Sequence, residues 1–336
     1  MKKLKVAFIY NMTEGARDEQ HAEWDSPETV SAIKNALERR AEVACLDAGS
    51  NIKDSIIRAA PDIVFNYAEG SSGEEREAEI PALLESLRIP YTGSGPGTMV
   101  NCLNKAKAKA VLAAAGINTP AWAVAESPED SREWREFPCI VKPLWEGSSK
   151  GLHDSALAKT RTEAARLVSE ITRKYSQPAL IEKFLPGREF TAGVLGNGED
   201  IRVLPPAEIN HAALAGKLNP ILSYEAKWVI DTPENPLDIL SCPAKITPSL
   251  LKQLENISVK AFKALGCRDW CRIDIRLDDK GAPNILELNP IPGLLPDAAD
   301  NSCLPAAARA AGMEYNDLIS MVLSHALKRC GMERPL

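Results

Sequence analysis

Two rhythms of apolar and polar positions alternate over the first hundred residues. Short apolar runs, "LKVAFIYN" (4–11), "EVACLD" (42–47) and "DIVFNYAEG" (62–70), have the length and β-branched or aromatic content of strands. Between and after them, "SPETVSAIKNALERR", "IKDSIIRAA" and "EIPALLESLRI" repeat apolar residues at helical spacing. Strand and helix in turn predict an open α/β domain with parallel strands and helices packed on the sheet. Ser26 ahead of Pro27 predicts a capped helix start, because a hydroxyl accepts from an otherwise orphaned N–H and proline lacks one.

The glycine-rich "TGSGPGTM" (92–99) reads as a domain joint. Beyond it come a helix over "NKAKAKAVLAAAG", strands "TPAWAVA" and "PCIVKPL", a helix over "TEAARLVSEITRK" and a strand "PALIEKFL". A second joint near "PGRE" leads into "EFTAGVLGNGEDIRVLPPAEI", a hairpin turning at Asn197 and Gly198. A helix over "SLLKQLENISVKAFKALG" is followed by a second hairpin, "CRIDIRLDDKGAPNILELN", and helices over "LPAAARAAG" and "NDLISMVLSHALKR". The expected division is residues 1–98, an N-terminal Rossmann-like α/β domain, then 99–184 and 185–336, two smaller α+β units.

With 336 residues, 45% hydrophobic and 26% charged, the chain is long enough for two or three folded domains. A net charge of −6 argues against general nucleic-acid binding while permitting a local basic pocket. Eight scattered cysteines without a CxxC pair read as free thiols in a reducing compartment, and the Cys267–Cys271 spacing lacks the partners of a metal site. "MKKLKVAFIYN" reads as a first strand rather than a signal peptide, and no run has the length of a membrane span. The expectation is a cytoplasmic protein with small-molecule partners, no nucleic acid and no membrane.

Two stretches carry candidate chemistry. "KPLWEGSSKG" (142–151) leaves an apolar strand through glycines flanked by lysines, which suits either an ordinary turn or a backbone cradle for phosphate. No Walker A motif occurs, and "NMTEGARDEQ" after the first strand lacks the GxGxxG of a dinucleotide site. In the second hairpin, alternation places Arg272 and Asp274 on one face and Glu287 and Asn289 on one face, opposite Leu286 and Leu288. Paired, they present hard oxygen ligands suited to magnesium, or simply the polar side of an exposed sheet. "PIPGL" immediately after stiffens the turn and leaves the Gly293 N–H to meet a developing oxyanion.

"PYTGSG", "LNKAKAK", "VKPLWEGSSKGL", "EKFLPGREFT", "YEAKW", "DWCRIDIRLDDKG" and "ILELNPIPGL" together resemble, in order and approximate spacing over nearly the whole chain, the D-alanine–D-alanine ligase family of the ATP-grasp superfamily. The resemblance implies an α/β protein whose two α+β subdomains sandwich ATP, and an ATP-dependent ligase that forms an amide through an acyl phosphate. It implies that Lys105 and Lys142 meet ATP phosphates, and that Glu146, Gly147 and Ser149 belong to a lid over them. Glu182, Lys183, Phe184 and Leu185 would line the adenine hinge, and Glu189 would bind the ribose. Asp274, Glu287 and Asn289 would hold magnesium, two ions, with manganese as an alternative. Arg272 and Gly293 would stabilise the tetrahedral intermediate, Lys227 would sit near the transferred phosphate, and Ser148 would orient the first substrate. A homodimer and a place in peptidoglycan synthesis are also implied.

The amino-acid end departs from the family pattern. Trp228 stands where the family usually has a tyrosine, and an indole cannot accept a hydrogen bond. Neither Glu23 nor Glu28 aligns cleanly with the family's N-terminal glutamate. A His–Gly pair is here Glu69–Gly70, Glu74 falls where the family keeps an acid, and "LPDAADN" precedes Ser302, the match for a carboxylate-binding serine. These changes leave open another amino acid or hydroxy acid as substrate, or a non-catalytic ATP-binding module.

Overall fold

The structure, a computed structural model, describes residues 3–13, 19, 21–49, 51–231 and 237–333. Strands β1 (Leu4–Tyr10), β2 (Ala41–Asp47) and β3 (Ile63–Tyr67) form a parallel sheet in the order β2-β1-β3, the arrangement that the strand–helix alternation predicts. Helices α1 (Pro27–Glu38), α2 (Ile52–Ala59) and α3 (Glu79–Leu87) connect and cover it. Ser26 caps α1 by accepting from the Thr29 N–H, with Pro27 in the first turn, so that start was legible in the sequence.

The glycine-rich joint is shorter than the sequence suggests. Helix α4 (Pro96–Leu103) begins inside it, because Pro96 supplies a helical φ, and Asn104 ends α4 while its side chain caps α5 (Lys105–Ala114) through the Lys107 N–H. Next come β4 (Trp122–Ala125), β5 (Cys139–Pro143), β6 (Leu157–Ala158), helix α6 (Arg161–Tyr175) and β7 (Ala179–Lys183). They build an antiparallel sheet ordered β4-β7-β5-β6, with α6 packed on it through Ala164, Leu167, Val168 and Ile171.

The larger antiparallel sheet contains β8 (Glu189–Gly196), β9 (Arg202–Val203), β10 (Ala207–Ile209), β11 (Leu240–Ser241), β12 (Asp269–Leu277) and β13 (Pro283–Asn289). The first predicted hairpin turns at Asn197–Asp200, and its return is split, with β9 and β10 both pairing with β8 around Leu204–Pro206. Helix α7 (Pro248–Ala264) buries Leu254, Ala261 and Phe262 against one side of this sheet.

The last helices, α8 (Cys303–Ala310) and α9 (Tyr315–Arg329), return to the beginning of the chain. Leu304, Leu318, Ile319, Val322 and Leu323 share one core with Phe8, Val30, Ile33, Phe65 and Trp270. Full burial of each large apolar side chain contributes about 1.5–3 kcal/mol, so this core ties the two ends of the chain together strongly. Among the described residues no helix is long and apolar enough to cross a membrane.

Candidate active site

The β12–β13 hairpin sets Arg272 directly opposite Asn289 and Asp274 directly opposite Glu287. Arg272 donates to Asp274 through Nε (3.1 Å) and Nη2 (2.9 Å), and Thr191 on β8 donates its hydroxyl to the same carboxylate. Just past this pair the register shifts, so that Ile275 faces Ile285 and Leu286 is left over. The bulge re-aims that residue: Leu286 lines the same cavity as Glu287, where strict alternation had put it on the opposite face. Arg272, Asp274, Glu287 and Asn289 all line this cavity of about 890 Å³.

The turn after β13 is fixed from several sides. Asn289 accepts from the Ile291 N–H, Tyr67 of β3 donates to the Pro292 carbonyl, and Tyr315 of α9 donates to the Leu294 carbonyl. Gly293 lies at the cavity wall, and among the described residues its N–H donates to nothing. Ser302, at the start of α8, also lines the cavity; it donates to the Gly293 carbonyl and accepts from the Leu295 N–H.

Three lysines approach the hairpin from α5 and β5. Lys105 Nζ is 3.5 Å from Glu287 Oε2 and donates to the Glu146 carbonyl. Lys142 lies 3.1 Å from Glu182 Oε1, and Lys109, 0% exposed, pairs with the other oxygen of Glu182 and donates to Thr119. Lys109 was not singled out in the sequence, although its i, i+4 spacing from Lys105 puts both on one helix face. Burial opposes ionisation of Glu287, but Lys105, Lys142 and Arg272 more than offset it and hold the acid down at about 2. Burial raises Asp274 instead, with Glu287 adding to the effect against Arg272.

The stretch "EGSSKG" lines the cavity through Glu146, Ser148, Ser149 and Lys150 and is fastened by groups far away in sequence. Glu23 accepts from the Gly147 N–H (2.7 Å) while its carboxylate is gripped by Arg76, which also donates to the Trp145 carbonyl. Glu19 accepts from the Gly151 N–H, and Ser149 donates to the Leu222 carbonyl. Trp228 donates its indole N–H to the Ser148 carbonyl at 2.9 Å. Ser148 and Ser149 both have left-handed backbones, with φ of 47° and 61°. A Cβ on Gly147 would come within 2.4 Å of the Glu23 carboxylate, so glycine is what permits that contact. Glu146 joins the cluster through Gln177, Lys150 and Arg76.

Glu182, Lys183, Phe184, Leu185 and Glu189 also line the cavity, where β7 runs into β8. The Glu182 carboxylate is taken by the two lysines. Glu189 Oε2 accepts from His211 Nε2 and Arg276 Nη1, both at 2.9 Å. Neither His211 nor Arg276 was picked out in the sequence; Arg276 continues the alternation of Arg272 and Asp274 and could have been.

Ala22, Glu23, Tyr67, Glu69, Lys227 and Trp228 also line the cavity, with the Lys227 ammonium 4.9 Å from the centre of the Trp228 ring. The structure settles which N-terminal acid turns inward: Glu23 lines the cavity, whereas Glu28 is exposed in the first turn of α1. Glu74 is exposed outside it, and the acid nearby that turns inward is the buried Glu77.

Among the described residues no three His, Cys, Asp or Glu side chains gather as a closed metal cluster. Two facing acids beside a carboxamide instead fit a hard cation whose shell is completed by phosphate oxygens and water.

Residues 111–324 match the family described as "D-ala D-ala ligase C-terminus". A D-alanine–D-alanine ligase of Pelotomaculum thermopropionicum is 33% identical over 321 residues, covering 92% of this chain and 94% of the relative. An uncharacterized protein, y4sG, of Sinorhizobium fredii is 37% identical over 269 residues, 80% of this chain and 75% of its own. Among solved structures, the D-alanine–D-alanine ligase of Bacillus anthracis complexed with ATP superposes with a TM-score of 0.72 at 22% identity, covering 98% of this chain and all of that one. The enzyme from Coxiella burnetii gives 0.70 at 23% identity, covering 98% and 95%.

Proposed function

The chain belongs to the D-alanine–D-alanine ligase family and is an ATP-dependent ligase of ATP-grasp architecture, and on this premise we propose that it joins two molecules of D-alanine through the side chains gathered in the cavity described above. The observation that carries the assignment of roles is the meeting of the Arg272–Asn289 and Asp274–Glu287 pairs with Lys105 and Lys142 across that cavity.

A carboxylate is a poor acylating agent. One carboxylate oxygen of the first substrate attacks the γ-phosphorus of ATP, the bond to the β-phosphate oxygen breaks, and ADP leaves. Lys105 and Lys142 neutralise the phosphates, with Lys227 at the transferred group, and the lid residues Glu146, Gly147, Ser148 and Ser149 close over them. Magnesium, held by Asp274, Glu287 and Asn289 in a two-ion arrangement, would supply charge neutralisation at the phosphates. Glu182 keeps Lys142 in place, so its own part is to position the lysine. The hinge from Lys183 to Leu185 offers backbone groups and the Phe184 ring to the adenine, and Glu189 takes the ribose.

The amine of the second substrate then attacks the acyl carbon. The developing oxyanion sits between the Arg272 guanidinium and the Gly293 N–H, which the anchored turn holds ready. Collapse expels phosphate, and the amine proton is lost as the amide forms. Closure of the lid protects the acyl phosphate from water. Under this reading the enzyme serves peptidoglycan biosynthesis in the cytoplasm, and family membership supports a homodimer.

The test is phosphate release from ATP and magnesium with single and paired D- and L-amino acids, products being identified by mass. Release with D-alanine alone, yielding the dipeptide, is expected, as is loss of turnover in a Glu287→Gln variant that still unfolds cooperatively, at a somewhat lower midpoint because its pairing with Lys105 is lost. Turnover with another acid and none with D-alanine would overturn the substrate; full activity of Glu287→Gln would overturn the metal assignment.

A further inference from the structure

We infer that Arg276 and His211 position the nucleotide's ribose, and that they set how sharply the protein separates a ribonucleotide from a deoxyribonucleotide. The inference rests on the proposed role of Glu189. Arg276 stands opposite Glu189 in the β12–β8 register, so the backbone delivers the guanidinium to that carboxylate. Arg276 Nη1, from β12, and His211 Nε2, from the turn that follows β10, both donate to Oε2. Among the described residues, Oε1 accepts from nothing, and Glu189 lines the cavity. A carboxylate pinned at one oxygen by two donors cannot swivel, and it presents the other oxygen in a fixed direction.

Arg276 is itself held rigidly. Its Nη2 donates to the Pro220 carbonyl at 2.9 Å, and its guanidinium lies 4.7 Å from the centre of the Phe184 ring, in the hinge. The residue is 5% exposed and lines the cavity, yet its Nε is buried without a partner, as is His211 Nδ1. Arginine suits this task because its planar fork binds a carboxylate and a carbonyl while its face stacks on an aromatic ring.

The matching ligand chemistry is a vicinal diol. Two adjacent hydroxyls donate to the free side of an ionised carboxylate through charge-assisted bonds, and removing one hydroxyl forfeits one of them. With Glu189 free to rotate, the diol loses its fixed partner and the distinction fades.

The experiment is calorimetric titration of the full chain, in magnesium, with ATP, 2′-deoxy-ATP and 3′-deoxy-ATP, which does not depend on the amino-acid substrate. The wild-type protein should favour ATP by about tenfold or more. Arg276→Met should weaken ATP by about tenfold and bring the three nucleotides close together, and Arg276→Lys should recover only part of the preference. His211→Phe reads the same ratio without altering β12, should Arg276→Met fail to fold. Wild-type preference retained in the folded Arg276→Met and His211→Phe variants would overturn the inference. Equal binding of all three nucleotides by the wild-type protein would instead overturn the ribose role of Glu189, and with it the inference.

Discussion

Glu77 is a buried acid without a chemical task in the mechanism, and its cost is readable in stability. Burial raises it to about 8, Glu23 and Glu287 adding to the effect while Arg76 and Lys105 oppose it. The folded state therefore keeps this proton over a window, from the ordinary carboxylate value of 4.5 up to about 8, in which the unfolded chain has released it. Stability falls as pH rises through that window. Glu77→Gln has no proton to lose, so its denaturation midpoint should exceed that of wild type at pH 8 and approach it at pH 5. Glu69, also raised by burial and by Glu77, would leave a residual slope. Parallel midpoint curves would sink the assignment. The sequence disclosed that Arg272, Asp274, Glu287 and Asn289 would meet across one hairpin, because strand alternation is a local rule. Which of Glu23 and Glu28 turns inward, or that Lys109 seizes Glu182, depends on contacts that no local rule reaches.

Among the elements, the lid shows the same limit. Its glycines were legible, but its fastenings come from Glu19, Glu23, Leu222 and Trp228, all distant in sequence. The bulge at Leu286 was hidden for a related reason, since one extra residue in a strand leaves the apolar pattern nearly unchanged. Trp228 turns out to be a donor to the lid backbone where the family pattern has a hydroxyl. A neutral hydrogen bond is worth about 0.5–1.5 kcal/mol, so Trp228→Phe should raise the KM for ATP by roughly two- to tenfold. A lid that closes less firmly also admits water to the acyl phosphate, so phosphate released should exceed amide formed. An unchanged KM with phosphate and amide still equal would show that the indole only packs.

Across the whole molecule, Asp269 joins segments that the sequence alone keeps apart. It is 0% exposed, with a left-handed φ of 64°, and it accepts from the Gly93 N–H, from Asn197 and from both Nε and Nη2 of Arg329. Removing one partner of a buried ion pair costs about 3–5 kcal/mol, so Asp269→Ala should lower the denaturation midpoint markedly. Asp269→Asn, which keeps the shape and tolerates the left-handed backbone, should fall between alanine and wild type. Equal stability of the alanine variant would deny this role. The sheets themselves followed from periodicity, yet nothing in the pattern announced that α8 and α9 would close the core begun by β1 and α1. That closure has a consequence during synthesis on the ribosome. Phe8, Val30, Ile33 and Phe65 are translated well before Leu304, Leu318 and Leu323, so this sheet waits with an uncovered apolar face until α8 and α9 have emerged.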